Sequence, residues 1–265
     1  MEAYRYAGAS LRKKRHKKFI LYGAFFTSTL GCIGVCYALL YADFLKVKSF
    51  AVRGNSQLGE ESVLRIVKNA ALSRALPRFL GVDNILSWRN EEFAFESSPI
   101  ARATLSPDLI KRTIAVEVKE REHFAVWCGL PAGDNDRECY WFDREGVAFE
   151  KAPATEGSLI MSVHDVERAS IAAGAKIAAD RFVPNIAAAL SALKNLGMNI
   201  KEIRYKKSLD ELEIVSYKNQ WPRILLSIRF DPSANLRSLM SLVENSELKK
   251  AQYVDLRVEN KIFYR

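Results

Sequence analysis

The chain has 265 residues, 49% of them hydrophobic, with 40 Lys and Arg against 31 Asp and Glu and a formal net charge of +9. Its supply of Ile, Leu, Val and Phe excludes a disordered chain, and its length allows one large or two small cores. The charge does not mark a nucleic-acid binder: residues 1–18 carry seven Lys or Arg and one Glu, which is +6 of the total, and no aromatic residue interrupts the basic run from Arg12 to Lys18.

The first element is the uncharged run from Phe19 to Tyr41. About 20 apolar residues suffice to cross a bilayer core as a helix. The run exceeds the h-region of a signal peptide, and no clear small-x-small site follows it before Asp43, so it reads as an uncleaved signal anchor. The dense Lys and Arg of residues 1–18 outweigh Lys46 and Lys48 on the other side. The expected orientation is therefore a cytoplasmic N-terminus with everything after Tyr41 outside.

Beyond the anchor, Val47 to Arg53 alternates apolar and polar residues and stops at Gly54-Asn55, as a strand does. Leu58 to Ala71 places Val63, Ile66, Val67 and Ala70 at helical spacing, with Glu60 and Glu61 in the first turn. Leu76 to Gly81 reads as a loop, Asn84 to Phe95 as a second helix, Ile100 to Leu105 as a strand, Ser106-Pro107-Asp108 as a turn and Ile110 to Lys119 as a strand. The order over residues 44–122 is β-α-α-β-β. Directly behind an anchor, this order resembles a POTRA domain. Val52-Arg53-Gly54-Asn55, Pro99-Ile100-Ala101-Arg102-Ala103 and the stretch from Ile114 to Arg121 followed by Ala125-Val126-Trp127 carry the resemblance. Gly54 and Pro99 also have a plain reading as residues that set turns.

Residues 123–265 read as a mostly antiparallel β domain with flanking helices. Cys128 and Cys139 flank turn chemistry between two strand-like runs. An oxidising compartment permits a disulfide there, and two packed thiols are the alternative. Cys32 and Cys36 lie one turn apart in the anchor. Phe182 to Leu196 reads as a helix stopped by Gly197. A meander over Ile200–Tyr205, Glu211–Tyr217 and Ile224–Phe230 follows, then a helix over Leu236–Val243 and closing strands around a turn at Glu259-Asn260.

Three patterns here resemble the bacterial cell-division family FtsQ, called DivIB in Gram-positive organisms: Asp143-Arg144-Glu145-Gly146-Val147-Ala148-Phe149, Asp231-Pro232 ahead of its helix, and Tyr253-Val254-Asp255-Leu256-Arg257. The Ala-rich stretch from His164 to Arg181 departs from the usual connection of that family. The resemblance implies an α+β protein of the inner membrane at the division septum. It would be a non-catalytic scaffold that regulates septal peptidoglycan synthesis. Other division proteins would engage its POTRA domain and membrane helix. The last strands would bind an FtsB/FtsL-type coiled-coil pair, through Arg257, Val258, Ile262, Phe263 and Tyr264. The plain reading beside it makes Leu256, Val258, Ile262 and Phe263 core residues and Arg257 a surface charge. The alternative function is a POTRA-bearing envelope protein assisting secretion or outer-membrane assembly.

The sequence points to no chemistry. Its three histidines, His16, His123 and His164, are scattered, and no zinc spacing, phosphate loop or nucleophile elbow occurs. The adjacent pair His164-Asp165 is expected to diverge in direction. Neither an enzyme, a cofactor, a metal nor a small-molecule substrate is expected.

Overall fold

A computed structural model describes residues 20–38, 42–131, 137–153, 160–217, 221–242 and 251–265. The basic tail, the two ends of the expected membrane run, the centre of the cysteine loop and Val243 lie outside the described residues. The chain forms two compact units, Met1–Phe93 with Ala103–Val118, and Ala94–Arg102 with Lys119–Arg265. The protein is mixed α/β, with two mixed sheets.

Helix α1, Ile20–Ala38, is long and apolar enough to cross a membrane, and none of it is buried among the described residues. Both of its threonine hydroxyls are satisfied within the helix: Thr27 donates to Gly23 O at 3.1 Å and Thr29 to Phe25 O at 2.8 Å. A polar side chain so paired costs little in an apolar surrounding.

The first unit is built on β1 (Ser49–Arg53), α2 (Glu60–Ala71), α3 (Ala75–Leu80), β2 (Glu91–Ala94), β3 (Ile100–Asp108) and β4 (Thr113–Glu120), with sheet order β1-β4-β3-β2. Strands β1 and β4 are parallel, from Ser49↔Thr113 to Arg53↔Glu117. Helix α2 buries Val63, Val67 and Ala71, one turn apart, and starts on Glu60 and Glu61. Gly54 ends β1 at φ 82°, and a Cβ there would sit 2.2 Å from Val118 O, so only glycine fits.

Three expectations fail here. The stretch from Asn84 to Phe95 is not a helix but a 3-10 turn, Ile85–Ser87, followed by β2. Asn84 Oδ1 accepts from Leu86 N, Ser87 Oγ donates to Gly81 O at 2.6 Å, and Trp88 Nε1 donates to Val82 O at 2.8 Å. These bonds fold the chain back at residues 81–88, and pairing in the sheet then outweighs helix propensity for Glu91–Ala94. The expected loop at Leu76–Gly81 is α3. Pro77 falls in its first turn, where a missing N–H leaves no intrahelical bond unmade. Strand β3 also runs through Ser106-Pro107-Asp108, and the turn falls at residues 109–112.

The second unit holds a nine-stranded sheet: β5 (Ala125–Cys128), β6 (Cys139–Phe142), β7 (Ala148–Ala152), β8 (Ser162–Asp165), β9 (Ile200–Lys206), β10 (Glu211–Ser216), β11 (Arg223–Ser227), β12 (Tyr253–Leu256) and β13 (Phe263–Tyr264), in the order β13-β12-β11-β10-β9-β8-β5-β6-β7. The meander β9-β10-β11 is antiparallel, but β5–β8, β8–β9 and β11–β12 are parallel. The sheet is therefore mixed. Parallel neighbours need long crossovers, and helices α4 (Val183–Asn195) and α5 (Ser233–Leu242) lie in two of them. The two helices, expected from the sequence only to flank a mostly antiparallel domain, are crossovers between parallel neighbours.

One face of this sheet packs with α4 and α5 into the main core, around Trp127, Phe142, Tyr205, Ile186, Leu190, Leu212, Leu226 and Leu256. Trp127 meets Phe142 and Tyr205 edge-on, at ring separations of 5.8 and 5.1 Å. On the other face, Cys128, His164, Arg204, Glu213, Leu225, Asp255 and Phe263 stand in one register row across seven strands. Cys128 and Cys139 form a disulfide across the β5–β6 pair.

A candidate interaction edge at the end of the nine-stranded sheet

Strand β13 is the last strand of the sheet and pairs with β12 over only Val254↔Tyr264 and Asp255↔Phe263. Arg265 N–H donates to Tyr253 O at 3.3 Å, and Arg265 O accepts from Gln252 N–H at 2.5 Å. Backbone groups alternate in direction along a strand, so Tyr264 turns its N–H and C=O away from β12. Such an edge is a ready template for another strand.

The side chains follow the same alternation. Phe263 is 51% exposed on the row that carries Asp255, while Tyr264, 48% exposed, lies on the side of Val254. Val258, 45% exposed, sits in the turn before them. Ile262 differs, since it packs partly against the main core. The structure thus gathers Val258, Phe263 and Tyr264 at one solvent-facing edge and turns Ile262 inward.

Arg257 is not a free surface charge. Its guanidinium donates to Asp255 at 2.6 and 2.8 Å and to Glu211 at 3.2 Å. The hydrogen bond from Arg257 holds the Asp255 carboxyl below its ordinary range, and Asp255, with Glu211 behind it, pushes Arg257 up. The group is thereby fixed as a cation one strand in from the edge.

A residue the sequence reading did not single out holds this edge in place. Asn235, in α5, is buried. Its Nδ2 donates to Leu256 O at 3.1 Å and Val258 O at 2.9 Å, and its Oδ1 accepts from Asn260 N–H at 2.9 Å. Lys261 N–H closes the turn on Val258 O at 3.2 Å, and Asn260 takes φ 56°, which asparagine tolerates. Nothing in the sequence signals this clamp, because the amide lies more than twenty residues from the carbonyls it meets.

Elsewhere on the open face the charges pair among themselves. Glu213 is buried beside Lys206 at 2.8 Å and Arg223 at 3.6 Å. Burial pushes its carboxyl up, but the bond from Lys206 and the charges of Lys206, Arg204 and Arg223 outweigh this and leave it below its ordinary value. His164 lies between Arg137 and Ser162. Desolvation, with Arg137, pushes it down toward the neutral form. Asp165 points to the opposite side, where its Oδ1 accepts from Glu167 and Arg168 N–H at 3.0 and 3.1 Å, so the two neighbours diverge. A cavity of about 970 Å³ is bordered by Phe124, Trp141, Met161, Leu190, Lys194 and Glu202. On its rim His123 lies 3.0 Å from Glu150, and Arg144 pairs with Glu122 at 2.9 Å. Among the described residues no group of three or more His, Cys, Asp or Glu could hold a metal ion.

No family model matches this chain, and no curated protein matches it.

Proposed function

We propose that the chain is a membrane-anchored scaffold of the FtsQ/DivIB kind. In this reading α1 anchors it with the N-terminus in the cytoplasm, the first unit acts as a POTRA domain, and the second unit captures a partner strand at β13. The observation that carries the reading is the edge itself: a terminal two-residue strand with an outward backbone pair at Tyr264 and exposed Val258 and Phe263. A segment of an FtsB/FtsL-type pair adds a strand there. Main-chain bonds supply affinity, and alternate side chains supply specificity. Arg257, already paired with Asp255 and Glu211, braces the neighbouring strand rather than offering a free charge to the partner.

Two experiments test this. A fluorescent tag on the N-terminus, imaged while the native copy is depleted, gives midcell bands and filamentous cells if the protein belongs to the division machinery. An even envelope signal with normal division overturns the reading and favours an envelope-assembly role. In a pulldown with an FtsB/FtsL-type pair, Phe263→Lys and Tyr264→Pro each abolish capture while the near-UV spectrum is kept, and unchanged capture by both variants rejects strand addition.

A further inference from the structure

We infer that the β3–β4 turn, together with Phe44, is a membrane-interface contact that seats the first unit on the bilayer surface from which α1 emerges. The inference rests on the reading of α1 as a helix that crosses the membrane.

The turn exposes two large aliphatic side chains side by side. Ile110 is 96% exposed and Leu109 58%. Their projection is built into the turn: Asp108 Oδ1 accepts from Ile110 N–H at 3.1 Å and Lys111 N–H at 3.0 Å, and Arg112 takes φ 56°. The hydrogen bonds therefore hold the tip outward rather than folding it onto the sheet.

The tip also has a fixed place relative to the end of α1. Arg112 Nη1 donates to Asp43 O at 2.9 Å, and Lys48 N–H donates to Arg112 O at 2.8 Å. Asp43 opens a 3-10 turn, Asp43–Leu45, that exposes Phe44 at 69%. Asp43 stands two residues after Tyr41, the last residue of the uncharged run, so even extended chain separates them by only about 7 Å. Phe44, Leu109 and Ile110 thus gather where the chain leaves the bilayer, whatever tilt α1 adopts.

The charges around the tip suit a lipid surface. Lys46, Lys48, Lys111 and Arg112 outnumber Asp43 and Asp108, with which Lys46 and Lys111 pair at 2.7 and 3.6 Å. An apolar tip with a cationic rim is the arrangement that enters the headgroup zone, where long basic side chains reach the phosphates.

The test places one environment-sensitive label at a time in the full chain, in a Cys32→Ala/Cys36→Ala background. The protein is reconstituted into phosphatidylcholine–phosphatidylglycerol vesicles with a shallow nitroxide-labelled lipid. A label at Ile110→Cys shows blue-shifted emission and loses intensity to the nitroxide, a label at Arg53→Cys does neither, and a label at Ile33→Cys is quenched within α1. Quenching at residue 33 without quenching at 110 overturns the inference and leaves the anchor standing. A blue shift at 110 without quenching overturns it too, since protein then covers the tip. No quenching at 33 overturns the anchor and the inference together.

Discussion

Arg121 reaches three acceptors at once. Its guanidinium pairs with Asp143 and donates to Phe95 O at 2.5 Å and Ser98 O at 3.2 Å, with both charged side chains nearly fully buried. Asp143 Oδ1 accepts from Val147 N–H at 2.9 Å, which ties the ion pair to the turn that ends on Gly146 at φ 74°. Breaking such a pair leaves a buried charge without compensation. Arg121→Ala is expected to cost about 3–5 kcal/mol, read from urea unfolding. The carboxylates of the open face set the acid limit. Glu213 and Asp255 bind protons less readily in the fold than in the unfolded chain. Their stabilisation is complete above the unfolded value of about 4 and fades as pH falls through the lower folded value. Midpoints of thermal unfolding should drop steeply below pH 4, and Glu213→Gln should flatten that drop while lowering the plateau at neutral pH.

At the scale of elements, the decisive pieces are short strands whose identity depends on neighbours. β13 has two residues and could not exist alone; Val254, Asp255 and the clamp from Asn235 define it. Asn235→Ala takes the amide away from Leu256 O, Val258 O and Asn260 N–H, of which Val258 O keeps its bond from Lys261 N–H. It is expected to cost about 1–3 kcal/mol and to speed amide exchange at Asn260 and Arg265 more than at β9 or β10. Gly54→Ala tests the close approach of β1 to Val118 O. A measurable loss of thermal stability is expected, because the clash is with backbone that no rotamer change relieves.

For the molecule as a whole, the disulfide and the crossovers matter most. Cys128 and Cys139 are eleven residues apart and close a short loop in the unfolded chain. The double variant Cys128→Ser/Cys139→Ser should lose about 3 kcal/mol in calorimetry or denaturant titration, and the native protein should lose a like amount under reductant. The sheet that carries this bond at one side and β13 at the other is continuous over nine strands.

Much of this was legible in the residues. The uncharged run marks a helix long enough for a membrane because the apolar length that lipid demands is written in consecutive residues. The alternation in Val47–Arg53 and the helical spacing of Val63, Ile66, Val67 and Ala70 report elements whose buried face is written locally, although Ala71 rather than Ala70 completes the buried stripe of that helix. The sequence alone also brought attention to Val258, Phe263 and Tyr264 as residues near a closing strand. It did not separate them from Ile262, whose inward direction depends on the path of the turn. It missed β2, because four residues of strand are stabilised only by the strand they pair with. It also missed Asn235, because a clamp over twenty residues exists only once α5 lies against β12. Local pattern determined which residues can be helix, strand or anchor. Tertiary contact decided which strand lies at the edge, which of its side chains face solvent and what holds them there, since pairing and burial at long range have no signature in adjacent residues.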